Sequence, residues 1–302
     1  MYARLLVPLD GSRLAEAVLP IVVRLAAACG ATVALLHIVE RAAPSSVHGE
    51  RHLTTPDEAT AYLRQVATRL EGQGLQVEWH THEVPEGDVA KSIVDHTEEM
   101  QADLIVLCTH GRGRVRELLF GAIAQQVLRL GTTPVLLARP TDDGSAPPFA
   151  PRSVLVPLDA TRAAEAALVP ARALARRLNA MLHLVMVVPT HGTVRGDRVP
   201  AATLLPRTTQ AVLDLEGQEA QTYLEQLAAP LRAPDLCVTT EVRRGDVAAS
   251  LAAEAAEPDV GLVVVATHGR SGLQAIWAGS VTAALLIRTR NPVLLLRTIE
   301  EE

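Results

Sequence analysis

Runs of consecutive apolar residues recur along the chain, separated by stretches whose apolar positions fall every third or fourth residue. In the first half the runs are Leu5–Leu9, Thr32–Val39, Gln76–Glu83, Leu104–Cys108 and Val135–Ala138. In the second half they are Val154–Leu158, Leu182–Val188, Cys237–Val242, Leu262–Ala266 and Val293–Leu296. Between them, Arg13–Ala28, Asp57–Leu70, Val89–Gln101 and Gly121–Leu130 carry helical spacing. Apolar runs without polar alternation predict strands buried on both faces, and helices between them predict a parallel sheet covered on both sides. Each half is therefore expected to fold as a doubly wound five-stranded α/β domain. Such a sheet binds ligands at its C-terminal strand ends, where strand order reverses. Two longer polar stretches, Arg41–Pro56 and Pro189–Arg207, follow the second strand of each half. Loops of that length are usually functional or mobile.

The alternation repeats because the sequence does. "RLLVPLDGSRLAEAVLP" (4–20) matches "SVLVPLDATRAAEAALVP" (153–170), and "EVPEGDVAKSI" (83–93) matches "EVRRGDVAASL" (241–251). "ADLIVLCTHGRG" returns as "VGLVVVATHGRS", and "GTTPVLLARP" as "TRNPVLLLRT". All four pairs keep their order, the signature of a tandem duplication. The expected domains are residues 1–140 and 152–302, joined by a linker, "TDDGSAPPFAP", at 141–151.

A length of 302 residues accommodates two such domains. Hydrophobic residues make up 48% but aromatics only 2%, so the cores must be aliphatic. A net charge of -6 gives no support for a nucleic-acid-binding face. Cys29, Cys108 and Cys237 are an odd number without metal-type spacing, which does not describe a disulfide framework. No apolar run reaches the roughly 18 residues of a membrane span, and the N-terminus has no signal-peptide pattern. The expected location is cytoplasmic.

Chemistry concentrates at the strand ends. The fourth strand of the first half runs into Thr109-His110-Gly111, and nine residues separate Gly111 from Gly121. In the second half Thr267-His268-Gly269 stand in the same relation to Gly279. A helix opening after such a glycine offers unpaired N–H groups and a partial positive charge to a phosphate. Ser280 and Thr282 add hydroxyls there, where the first half has Ala122 and Ala124. The first loop has instead Arg112, Arg114 and Arg116. The alternative reading of both segments is a strand-to-helix turn without a ligand. The first strands end in Asp10-Gly11-Ser12 and Asp159-Ala160-Thr161. These acids suit a ribose, an adenine or a divalent cation, and equally an N-cap for the following helix.

With those residues in view, the chain resembles a tandem universal stress protein, and the resemblance covers nearly all of both halves. ATP-binding members of that family carry Gly-x-x-Gly, nine residues, then Gly-Ser or Gly-Thr. They also carry an Asp after the first strand and a Val after the second whose backbone meets adenine. The resemblance implies a Rossmann-like fold of the adenine nucleotide alpha-hydrolase type, with ATP, and Mg2+ beside it, as cofactor. The implied contacts in the first half are Pro8, Asp10, Gly11, Ser12, Val39, Thr109, His110, Gly111, Arg112 and Gly121. In the second they are Pro157, Asp159, Val188, Thr267, His268, Gly269, Gly279, Ser280, Val281 and Thr282. The first glycine of the pattern is Cys108 in one half and Ala266 in the other, and Ala122 lacks the hydroxyl. Similar single-domain proteins dimerise through their last strands. The resemblance thus implies a pseudo-dimer within the chain, with Val135–Ala138 beside Val293–Leu296, and a homodimer of tandem chains beyond it.

The remaining candidates are weaker. His110 and His268 lack a recurring nucleophile and acid, so a positioning role is expected. His80 and His82 share one strand face that a metal can use, but no such pair recurs in the second half and no metal site is assigned. Cys108 reads as a buried small hydrophobe. There is no Gly-Lys-Ser/Thr and no G-x-S-x-G elbow, so no catalytic residue is assigned and any ATP turnover is expected to be slow. Three readings follow: first an ATP-binding stress or signalling protein, second an interaction module of the same fold with both sites degenerate, and third an enzyme acting on a small phosphorylated or adenylated substrate.

Overall fold

The computed structural model describes residues 2–41, 46–47, 50–85, 87–109, 122–141, 144–146, 149–268 and 281–298. Contacts divide the chain into two units, Met1–Ala150 and Pro151–Glu302.

In the first unit, strand β1 (Arg4–Pro8) pairs in parallel with β2 (Thr32–Glu40) on one side and β4 (Leu104–Cys108) on the other. Strand β3 (Val77–Val84) pairs outside β2, and β5 (Val135–Ala138) outside β4. The order 3-2-1-4-5 reverses between β1 and β4, as a doubly wound sheet requires. The second unit repeats it. Strand β6 (Ser153–Leu158) lies between β7 (Met181–Val188) and β9 (Val260–His268), with β8 (Val238–Arg244) outside β7 and β10 (Val293–Thr298) outside β9. Leu104–Cys108 and Val135–Ala138 have the expected bounds, and the other strands differ from them by a residue or two. The central strands are dry: Leu5, Leu6 and Val7, like Val154, Leu155 and Val156, have no exposed surface. Each such side chain contributes about 1.5–3 kcal/mol over its exposed state.

The helix expected over 13–28 is two helices, α1 (Arg13–Glu16) and α2 (Leu19–Cys29). Pro20 causes the break, since it has no N–H to donate and its ring crowds the carbonyl four residues back. The chain tightens instead, with Ala17 N–H on the Leu14 carbonyl and Val18 N–H on that of Ala15. The second unit breaks likewise between α6 (Arg162–Glu165) and α7 (Leu168–Leu178). Helix α2 ends on left-handed Gly30 and α7 on left-handed Asn179, residues suited to that conformation. Helices α3 (Pro56–Glu71), α4 (Val89–Glu99) and α5 (Ala122–Leu130) complete the first unit.

The stretch 189–207, expected as a loop, is largely helical. Helix α8 (Val199–Leu204) and the start of the long α9 (Pro206–Ala228) occupy it. Pro200 and Pro206 stand in first turns, where a missing N–H costs nothing, and Ala202 is buried. Helices α10 (Val247–Ala255) and α11 (Val281–Arg288) follow. In the expected linker, Thr141 N–H meets the Ser145 carbonyl to close a turn, and Phe149 is buried. Among the described residues, no helix is long and apolar enough to cross a membrane.

Gly261 sits where β9 shifts register against β6. A Cβ at this position lies 2.5 Å from the Pro151 Cα and 2.7 Å from its Cβ, contacts that no rotamer relieves. Gly261→Ala is expected to destabilise by about 1–3 kcal/mol in urea unfolding. Gly192→Ala, which meets nothing within 4 Å among the described residues, is expected to stay within about 0.5 kcal/mol of the parent.

Candidate functional site

Parallel pairing places the ends of β1, β2 and β4 on one rim, and the turn after β1 is its best-defined part. The Asp10 Oδ1 accepts from Ser12 N–H at 2.9 Å and from Ser12 Oγ–H at 2.6 Å. The Ser12 Oγ in turn accepts from Ala15 N–H at 3.1 Å, capping α1. The second unit builds the same device. Asp159 Oδ1 accepts from Thr161 N–H at 3.0 Å and Thr161 Oγ1–H at 2.6 Å, and Thr161 Oγ1 accepts from Ala164 N–H at 3.1 Å. The N-caps are therefore Ser12 and Thr161, not the aspartates. An aspartate two residues earlier cannot also reach the helix N–H groups, so each instead orients its cap hydroxyl.

The middle residue of each turn has a left-handed backbone: Gly11 at φ +86° and Ala160 at φ +63°. Glycine is required in the first unit for a second reason. A Cβ on Gly11 lies 2.8 Å from Leu53 Cδ1, because Leu53 packs onto the turn. Ala160 keeps the same turn at a strain of roughly 1–2 kcal/mol.

Behind the first rim, His37 of β2 is buried, with Nδ1–H donating to the Leu9 carbonyl at 2.7 Å. Its ring lies 6.4 Å from those of His52 and Tyr62. Burial lowers the His37 pKa, against the pull of the Leu9 carbonyl. Cys108 ends β4 in the same region; burial first, and then the Asp10 charge, push its thiol up to about 12. It is a protonated thiol at neutral pH and behaves as the small hydrophobe expected. Sequence spacing did not single out His37, His52, Leu53 or Tyr62. The one available signal was a histidine inside the apolar run "TVALLHIVE".

Other expected contacts are placed as follows. Pro8 and Pro157 lie in β1 and β6 near the rim. Val39 is buried on β2, in register with Glu83 of β3. Val188 ends β7, and its carbonyl accepts from Gly245 N–H at 3.0 Å. Thr109 is buried and ties β4 to β5, donating through N–H and Oγ1–H to the Ala138 carbonyl at 2.7 and 3.1 Å. Thr267 and His268 close β9. Val281 and Thr282 are the first described residues of α11, and Ala122 is the first of α5. His110, Gly111, Arg112, Gly121, Gly269, Gly279 and Ser280 lie outside the described residues.

The model of the universal stress protein family matches residues 1–139 and again 151–297. The chain belongs to the universal stress protein family. A universal stress protein of Mycolicibacterium smegmatis is 24% identical over 303 residues, covering 97% of this chain and 96% of its own length. One of Mycobacterium bovis is 30% identical over 198 residues, 65% of this chain and 62% of that protein. The crystal structure of a universal stress protein from Archaeoglobus fulgidus shares the fold, with a TM-score of 0.68 at 16% identity over 99% of this chain and 97% of that one. This universal stress protein is thus a tandem one, with two copies of the rim in a single chain.

Both rims yield measurable expectations. Ala160→Gly relieves left-handed strain and is expected to raise stability by about 0.5–1 kcal/mol, after the entropic cost of glycine. The folded state holds His37 neutral, so below its ordinary pKa near 6.5 the unfolded chain binds more protons. Its contribution is complete above that pH and is lost as pH falls towards the lowered folded value. Denaturation midpoints between pH 7.5 and 5 are expected to fall less steeply for His37→Asn than for the parent.

Proposed function

We propose that this universal stress protein binds an adenine nucleotide, ATP in the first instance, at the C-terminal rim of at least one unit. Occupancy of that rim serves stress response or signalling rather than metabolism. The observation that carries this reading is the repeated turn after the first strand. In both units an aspartate is held by a Ser or Thr through two hydrogen bonds. A carboxylate fixed in this way is preorganised to accept from a ribose hydroxyl or to hold Mg2+ beside a phosphate.

The second unit is the stronger candidate. The glycine in the Asp-Gly-Ser turn of the first unit gives it no advantage, since Ala160 forms the same turn without glycine. The second unit alone has Gly279-Ser280 ahead of its helix, the arrangement that presents N–H and hydroxyl donors to phosphate. In the first unit Ala122 stands in the serine position, and Leu53 packs on Gly11.

Calorimetric titration of nucleotide-stripped protein with ATP, with and without Mg2+, tests this. One site per chain is expected, lost in Gly279→Val and kept in Gly121→Val. Saturation at a hundredfold excess over Kd is expected to add about 2.7 kcal/mol to stability. No heat and no thermal shift at millimolar ATP overturns the proposal and leaves an interaction module of the same fold.

A further inference from the structure

We propose that His80, His82 and His96 form a binding site for a borderline divalent transition metal of the Zn2+ class, with Glu99 supplying a fourth ligand. His80 and His82 alternate onto one face of β3, as their spacing requires. Thr81, on the other face, meets Thr60 of α3. The face bearing the two histidines receives α4, which contributes His96. The three rings lie together, with centroids 6.2 Å apart for His80–His82, 5.1 Å for His80–His96 and 4.9 Å for His82–His96. One nitrogen from each falls within 4.8 Å of the others. Tetrahedral zinc with bonds of about 2.0–2.1 Å needs these nitrogens roughly 3.3 Å apart, and His80 and His82 are exposed side chains free to close the gap.

His96 is the observation that separates this cluster from chance. It is 2% exposed, and its Nδ1–H donates to the Ser92 carbonyl at 2.7 Å. That bond fixes the tautomer and leaves Nε2 as a lone-pair donor, the arrangement metal-ligating histidines use. The Nε2 is buried with no hydrogen-bond partner among the described residues, and the nearest Glu99 oxygen is 3.6 Å away. Lys91, the cation lining the same hollow, is paired with Asp95 at 3.7 Å. Burial and the two neighbouring rings also lower the His80 pKa, keeping an uncharged imidazole available.

The second unit supplies the comparison. Counting from the shared Gly-Asp-Val-Ala (87–90 and 245–248), the position of His96 is taken by Glu254. Its carboxylate accepts from His183 Nε2 at 2.9 Å and pairs with Arg243 at 2.5 Å. That cluster balances its own charge. The first unit, at the same place, gathers three imidazole nitrogens, a set suited to Zn2+, Co2+, Ni2+ or Cu2+ rather than Mg2+ or Ca2+.

The test is titration of the untagged, chelator-treated full chain with Zn2+, and with Co2+ as a spectroscopic probe. One equivalent per chain is expected, with a raised Tm and visible d–d bands of a four-coordinate Co2+ centre. His80→Ala/His82→Ala changes only exposed side chains, so its fold, checked by circular dichroism, is expected to survive while affinity drops at least about a hundredfold. His96→Gln is expected to weaken binding too, and His183→Gln to leave it unchanged. Absence of stoichiometric Zn2+ binding, or parental affinity in the folded double variant, overturns the proposal.

Discussion

Burial of β1 and β6 on both faces is the constraint on which each unit depends. A strand dry on both sides satisfies its backbone only through two neighbours in the sheet, and β1 has them in β2 and β4. Helices must then cover both faces, which fixes every connection as a crossover and every strand as parallel. Parallel strands bring their C-terminal ends to one edge. Asp10, Val39 and Cys108 are far apart in sequence, yet all stand where β1, β2 and β4 end. The rim is a consequence of the core, and its chemistry is set afterwards by residues the core does not need.

That division explains what the chain discloses before its structure is known. Strands such as Leu104–Cys108 and Val135–Ala138 are legible to the residue, because burial on both faces leaves an unbroken apolar run. The break between α1 and α2 is legible only through Pro20, since the helical spacing of apolar residues runs on through it. Helix α8 hides in a stretch whose composition reads as loop, and it folds there because Ala202 reaches the core. The roles of Asp10 and Asp159 are half legible. Their place at a helix start is plain, but whether the acid or the following hydroxyl caps depends on backbone angles. His96 is not legible at all as a partner of His80 and His82, because helical periodicity gives no account of which strand the helix crosses.

The duplication separates what the fold requires from what a site can lose. Both units keep the Asp-to-Ser/Thr turn with nearly identical distances, although one has glycine at its centre and the other accepts strain at Ala160. A strained residue persists only where surrounding contacts over-determine it, and here two hydrogen bonds and a helix cap do so. Under α4 and α10 the two copies diverge completely, with a histidine cluster in one and a glutamate bound by His183 and Arg243 in the other. Neither cluster is needed for strand pairing, so neither is restrained by the fold.

Cys108 shows how far one such position can drift. The family pattern has glycine where the backbone passes close to the nucleotide, and a thiol there invites a redox reading. Reactivity needs the thiolate, which forms where positive charge or solvent stabilises it. Cys108 is buried beside the Asp10 charge, and the two hold its thiol up at about 12. The side chain therefore acts as a small buried hydrophobe at the end of β4. At the first rim Leu53 covers Gly11, whereas Ala160 at the second is exposed. That difference at the turn adds to the loss of a hydroxyl at Ala122 in setting the two rims apart.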